Sequence, residues 1–195
     1  MKIRTATITT ITMIVFFALV ACATAQQFTE APRYKTTSFV EGVVTGDFNR
    51  DGKPDIAFAD DCCTALTVEL GNGDGTFITG QTLSINGNEA TAIVSGDWNG
   101  DGITDLALMA LSVNSAYFLL GNGDGTFTLV NTYTLPNQPY GIATGDVNGD
   151  GIVDLVMAYN VQFSTGGVDV MLGVAGGVFQ PAVSYPLPGY ESRVA

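Results

Sequence analysis

Asp97-Trp98-Asn99-Gly100-Asp101-Gly102-Ile103-Thr104-Asp105 is one of three copies of a nine-residue pattern, Asp-x-Asn-x-Asp-Gly-x-x-Asp. The others are Asp47-Phe48-Asn49-Arg50-Asp51-Gly52-Lys53-Pro54-Asp55 and Asp146-Val147-Asn148-Gly149-Asp150-Gly151-Ile152-Val153-Asp154. Their first residues stand 50 and 49 positions apart (97−47 and 146−97). Oxygen-bearing side chains at alternate positions, closed by a glycine turn, can gather their donors around one point. Hard cations such as Ca²⁺ take about 6–8 oxygen ligands at roughly 2.3–2.6 Å. A fixed period of roughly 50 residues is also the mark of a repeat architecture. The pattern predicts an array of structural units, each clamped by calcium.

The flanks repeat in phase with the acidic pattern. Before it stand Val43-Val44-Thr45-Gly46, Ile93-Val94-Ser95-Gly96 and Ile142-Ala143-Thr144-Gly145. After it come Ile56-Ala57-Phe58-Ala59, Leu106-Ala107-Leu108-Met109 and Leu155-Val156-Met157-Ala158. Short apolar runs bounded by turn residues read as strands buried on both faces. A third run (Leu66–Leu70, Tyr117–Leu120, Val168–Leu172) leads into Gly71-Asn72-Gly73-Asp74-Gly75-Thr76-Phe77 and Gly121-Asn122-Gly123-Asp124-Gly125-Thr126-Phe127. Asn-Gly and Asp-Gly between strands are strong hairpin signals. A fourth, polar run such as Thr128–Thr134 suits an exposed outer strand. Four antiparallel strands per repeat make one propeller blade, so the expected fold is all-β.

Asp74 and Asp124 are read as turn residues rather than ligands. The third copy, Gly173-Val174-Ala175-Gly176-Gly177-Val178-Phe179, has no acid there; a turn tolerates that loss and a ligand set does not. Phe48, Trp98 and Val147 share one slot inside the acidic pattern and stay apolar while varying in size, which predicts packing between blades. An EF-hand is excluded because it needs a bidentate Glu at position 12 of its loop, where this chain has Phe58, Leu108 and Met157. A dockerin-type loop fails for want of the same acid, and of a helix after it.

Net charge is −12, and the three patterns hold nine of the 19 Asp and Glu residues. Three bound Ca²⁺ would halve that charge. The acidity therefore points to metal, and no Lys/Arg patch exists to neutralise the phosphates of a nucleic acid. The 24 Gly and low content of charged residues (13%) fit many short strands joined by tight turns. There is no His, which removes Ser-His-Asp and Cys-His nucleophile systems and His-ligated zinc; the expectation is a non-enzyme.

The first 25 residues read as an export signal. Lys2 and Arg4 precede an apolar run, Ile8–Val20, and Ala23-Thr24-Ala25 is a small-x-small cleavage site. The run is too short for a membrane-spanning helix, and no second one follows. Leu19-Val20-Ala21-Cys22 also resembles a bacterial lipobox, which would place a lipid anchor on Cys22; both readings stay open. After cleavage at Ala25 the adjacent Cys62 and Cys63 remain, with a vicinal disulfide, pairing between chains or the reduced state as alternatives.

These motifs carry a resemblance. Gly-Asp-Phe/Trp/Val-Asn-x-Asp-Gly-x-x-Asp and Leu-Gly-Asn-Gly-Asp-Gly-Thr-Phe resemble the FG-GAP repeats of integrin alpha-chain propellers, and more closely their bacterial relatives, the VCBS repeats. The resemblance covers residues 28–195. It implies structural Ca²⁺ in each loop, held by Asp47, Asn49, Asp51, the Lys53 carbonyl and Asp55. The second set is Asp97, Asn99, Asp101, the Ile103 carbonyl and Asp105. The third is Asp146, Asn148, Asp150, the Ile152 carbonyl and Asp154. The family often carries Asp where these loops have Asn49, Asn99 and Asn148, which keeps the oxygen and removes a charge. It also implies a ring of about seven blades, against three repeats here (about 41–90, 91–139 and 140–195). Phe28–Tyr34 matches Phe179–Tyr185 in spacing, so 28–40 is expected to be the outer strand of a further blade, and the chain the first part of a longer propeller.

The expected function is a secreted or cell-surface calcium-binding scaffold for protein or glycan recognition and adhesion. The alternatives are the accessory propeller of a carbohydrate-active or other extracellular enzyme, and a purely structural assembly module. The longest connections, Asp60–Ala65, Ala110–Ala116 and Tyr159–Gly167, are where a ligand site is expected.

Overall fold

The apolar runs fold into strands wherever Gly-Asp or Gly-Asn signals bound them. In a computed structural model of the chain, the described residues are 39–60, 65–85, 90–161 and 165–187. The strands are β1 (Val40–Gly46), β2 (Asp55–Asp60), β3 (Ala65–Gly71), β4 (Phe77–Ser84), β5 (Ala90–Gly96), β6 (Asp105–Ala110) and β7 (Ser115–Gly121). They continue with β8 (Phe127–Thr134), β9 (Pro139–Gly145), β10 (Asp154–Val161), β11 (Thr165–Met171), β12 (Gly173–Val174), β13 (Val178–Phe179) and β14 (Val183–Leu187). The described residues contain no helix, and hence none long and apolar enough to cross a membrane. The export segment, Cys22, Phe28–Tyr34, Cys62 and Cys63 lie outside them.

Three four-stranded antiparallel meanders result, ordered β1-β2-β3-β4, β5-β6-β7-β8 and β14-β11-β10-β9. Each acidic pattern joins the first strand of a sheet to the second, and the register begins beside it: Gly46↔Asp55, Gly96↔Asp105 and Gly145↔Asp154. The sheets stack as successive blades, with β5 packed against both β1 and β9.

One core fills each space between blades. The first gathers Phe48, Leu66, Val68, Ile93, Leu108 and Phe127. The second gathers Trp98, Met109, Phe118, Met157, Met171 and Phe179. Alternation along β6 feeds both, because successive side chains of a strand point to opposite faces. Leu106, Leu108 and Ala110 enter the first core, and Ala107 and Met109 the second. All of β6 is therefore buried, whereas β2, of similar apolar character, alternates between buried and half-buried. The expectation of strands buried on both faces holds in full only for the blade with a neighbour on each side.

Two other expectations change. Tyr159–Gly167 is not a long loop: β10 and β11 run on and pair Tyr159↔Gly167, Asn160↔Gly166 and Val161↔Thr165. The third blade keeps its turn without the acid, since β12 and β13 form a small hairpin there. At the start, Val40 already belongs to β1, the innermost strand, while 28–38 lie outside the described residues.

Where the third strand of each blade meets the turn, a glycine lies against the backbone of the acidic loop. A Cβ on Gly71 would come 2.0 Å from the Pro54 carbonyl oxygen, one on Gly121 would come 2.2 Å from that of Thr104, and one on Gly173 would come 2.4 Å from that of Val153. Backbone cannot swing aside as a side chain can. Gly121→Ala is therefore expected to cost about 2 kcal/mol or more, in the range of core overpacking. Gly145→Ala, whose Cβ would meet nothing within 4 Å, is expected to stay within about 0.5 kcal/mol of the parent. Urea unfolding of the two variants measures the difference.

Candidate metal centres

Each acidic loop is folded by its own hydrogen bonds. The backbone must turn left-handed at the fourth and sixth positions. Gly100 and Gly149 (φ 78° and 79°) do so at the fourth, and Gly52, Gly102 and Gly151 (81°, 79° and 86°) at the sixth. The first loop has Arg50 at its fourth position, at φ 62°, where an L-residue costs roughly 1–2 kcal/mol. The first carboxylate of each loop then collects backbone N–H groups. Asp47 accepts from Asp51 and Gly52 at 3.0 and 2.9 Å. Asp97 accepts from Gly100, Asp101 and Gly102 at 2.8, 3.2 and 2.8 Å. Asp146 accepts from Gly149, Asp150 and Gly151 at 2.7, 3.2 and 2.9 Å.

The third and fifth positions continue the turn. The Oδ1 atoms of Asn49, Asn99 and Asn148 accept from the N–H of Asp51, Asp101 and Asp150 at 3.0, 2.9 and 2.8 Å. Those aspartates accept in turn from Lys53, Ile103 and Ile152 N–H at 2.9, 2.7 and 2.8 Å. Lys53 also reaches Asp51 Oδ2 at 3.4 Å. In the other two loops the Asn amide nitrogen donates to that oxygen of Asp101 or Asp150, at 2.8 and 2.9 Å. At the seventh position Lys53 is exposed and Ile103 and Ile152 are half-buried.

The ninth position behaves differently. Asp55, Asp105 and Asp154 are wholly buried, and backbone N–H groups hold both oxygens of each. One oxygen accepts from the second residue of the loop: Phe48 at 2.8 Å, Trp98 at 3.1 Å, Val147 at 2.9 Å. The other accepts from the glycine where the third strand meets the turn: Gly71 at 2.8 Å, Gly121 at 3.0 Å, Gly173 at 2.8 Å. This carboxylate straps loop to sheet. The strap was missed in the sequence, although a glycine recurs opposite every ninth Asp, where the third strand meets the turn.

Charge within a loop is coupled. Burial pushes the Asp105 carboxyl above its ordinary pKa; the Gly121 and Trp98 N–H groups oppose this, and the Asp101 and Asp97 charges add to it. Two of the exposed carboxylates are held low instead, Asp51 chiefly by the Lys53 N–H and Asp146 chiefly by the Gly151 N–H. Among the described residues no three Asp, Glu, Cys or His side chains stand together at metal-holding spacing. The donor chemistry nonetheless fits a hard divalent cation: each loop has only oxygen donors, with its first and fifth carboxylates exposed. A carboxylate offers about four lone-pair sites, so accepting two or three N–H groups leaves capacity.

Asp74 and Asp124 serve their turns. Each accepts from the backbone N–H of the Thr two residues on, at 2.9 and 3.0 Å, and from its hydroxyl at 2.6 and 2.5 Å. Phe48 and Trp98 pack between blades as expected, whereas Val147 is 55% exposed. Replacing Asp105 by Ala would leave two buried N–H groups unpaired, at about 1–3 kcal/mol each. Asp105→Ala is expected to lose about 3 kcal/mol, and Asp124→Ala, on an exposed turn, less than about 1. Denaturant melts in EDTA, which isolate the strap from any metal, should show that order.

Comparison with curated proteins found no match. The FG-GAP-like repeat family matches residues 47–108 and 107–157, which together span more than half of the 195-residue chain. The first stretch begins at Asp47 and takes in the first two acidic loops; the second takes in the following turn and the third loop. The chain thus belongs to the FG-GAP-like repeat family, with its four-stranded sheets as β-propeller-type blades.

Proposed function

We propose that the chain is an exported, non-catalytic, calcium-binding propeller repeat protein that serves as a scaffold for recognising a protein or glycan. The observation that carries the calcium reading is the threefold loop: an all-oxygen set of donors, repeated in register, with like charges that push on one another. Asp47, Asn49, Asp51, the Lys53 carbonyl and Asp55 would hold one ion, and their counterparts in the other loops two more. The ion would supply charge neutralisation and a cross-link between the first two strands of a blade, and no reaction chemistry. The positive start, apolar run and Ala23-Thr24-Ala25 support export, with Cys22 as an anchor if the lipobox is used.

The recognition surface is assigned to the end of the blades away from the acidic loops. The acidic loops, nearly the same in sequence from blade to blade, share one end of the meander with the turns after the third strands, which read Gly-Asn-Gly-Asp-Gly in the first two blades. The second-to-third-strand connections at the other end differ. Leu111-Ser112-Val113-Asn114 forms that turn in the second blade, with Val113 exposed.

Calorimetric titration with Ca²⁺ is expected to find about three sites per chain. Extracellular calcium modules bind at about 10⁻⁴–10⁻³ M, and a site filled at ~100 times its dissociation constant adds about 2.7 kcal/mol. EGTA should therefore lower the melting temperature; an unchanged value would remove calcium from the account. In excess calcium, Asp101→Ala should lower it more than Asp124→Ala. Equal losses would mean that the two Asp-Gly motifs are not divided between metal and turn. Trp98, the sole Trp, sits inside the second loop and should report its titration by emission.

A further inference from the structure

The three acidic loops share their carboxylates but not their cations. Arg50 and Lys53 are the only Lys or Arg residues between Lys35 and Arg193, and both stand in the first loop. The second and third loops have Gly100 and Gly149 at the fourth position, and Ile103 and Ile152 at the seventh. The Asp carboxylates thus share their loop with two cations in the first copy and with none in the other two.

Packing at the seventh position shows how a lysine fits there. Ile103 lies on the turn after the third strand: a Cβ on Gly123 would come 3.3 Å from its Cδ1. Lys53 lays its stem on the matching glycine of the first blade, with Cδ, Cγ and Cε at 3.1, 3.3 and 3.6 Å from a Cβ on Gly73. An aliphatic stem can cover such a contact while its charged head stays in water. Lys53 therefore keeps the contact of the isoleucine and adds a charge, which returns to Asp51 Oδ2 at 3.4 Å. In the other loops that oxygen takes a neutral amide instead, from Asn99 at 2.8 Å or Asn148 at 2.9 Å. Arg50 holds a left-handed backbone where the other loops use glycine. Its stem lies against the turn of the second blade, with Cδ at 3.1 Å from a Cβ on Gly123.

We infer that the loops form two classes of calcium site: the second and third fill first, and the first, already neutralised in part by Arg50 and Lys53, fills only at higher calcium. This rests on the calcium reading proposed above. A divalent cation entering the first loop meets two like charges within nine residues, and it must displace the Lys53 ammonium from an Asp51 oxygen. Like charges a few ångströms apart repel even in water. Between the two filling steps, calcium would cross-link the first two strands of the second and third blades, while the first loop relied on its own cations.

The test follows the amide signals of Gly52, Gly102 and Gly151 by NMR as Ca²⁺ is added, at low salt, to the calcium-free full exported chain. Gly52 should reach its midpoint at about 10-fold or more higher calcium than the other two. Lys53→Met removes the charge, keeps an unbranched stem and leaves the backbone carbonyl in place. Combined with Arg50→Gly, it should bring the Gly52 midpoint down to those of Gly102 and Gly151. Lys53→Arg, which keeps the charge, should keep the high midpoint. In the second loop, Ile103→Lys should raise the Gly102 midpoint alone, and the emission of Trp98 should report the same shift. Equal midpoints in the parent would overturn the inference and leave the calcium reading standing. So would a Gly52 midpoint that stays high when both charges are gone. No response at any of the three glycines would remove the calcium reading, and the inference with it.

Discussion

A buried carboxylate that binds backbone amides from two directions is the constraint on which the blades depend. Asp55, Asp105 and Asp154 each hold the second residue of their loop with one oxygen and the glycine where the third strand meets the turn with the other. A buried charge is costly unless it is hydrogen-bonded, and here the partners are amides that the bend of the loop and the end of a strand would otherwise leave unpaired. The strap also explains the glycine. The strand end approaches the loop backbone too closely for any Cβ. By fixing the N–H of Phe48 and Trp98, the same carboxylate sets where those rings leave the loop, and so places them in the cores between blades.

The loop therefore has two tiers. The inner tier, at the ninth position, belongs to the sheet and is satisfied by protein. The outer tier, at the first, third and fifth positions, lies toward solvent and is shaped by Asx-type turns with lone pairs to spare. In the calcium reading the ion acts mainly on the outer tier, relieving repulsion among carboxylates already held in one short loop. The Asp97 and Asp101 charges that raise Asp105 are the link between tiers. A cation near them would remove that push.

Much of this was legible in the sequence because the same physics recurs three times. The all-β class, the order of strands and the turns at Asp74 and Asp124 follow from short apolar runs between Gly-Asp and Asn-Gly signals. The slot shared by Phe48, Trp98 and Val147 announced packing between blades, because its residues keep apolar character while changing size. What was not legible depends on neighbours. The runs of β2 and β6 are alike, yet only β6 has blades on both faces, and exposure of Val147 and Val43 is a property of the array, not of their local pattern. The ninth Asp was read only as a ligand, since spacing reveals that oxygens recur and says nothing of which backbone amides they meet. The long connection expected at Tyr159–Gly167 failed because Gly166 and Gly167, taken as loop residues, are tolerated in extended strand pairing.

Hydrogen exchange on the metal-free protein tests the two-tier loop most directly. The amides of Phe48, Trp98, Gly71, Gly121 and Gly173 should be strongly protected in EDTA, because the buried carboxylates hold them without help. The outer amides of Asp51, Gly52, Asp101 and Gly102 should exchange quickly in EDTA and slow on adding calcium. If the strap amides exchanged as fast as the outer ones until calcium was added, the ion rather than the buried carboxylate would be organising the blades, and the account would be contradicted.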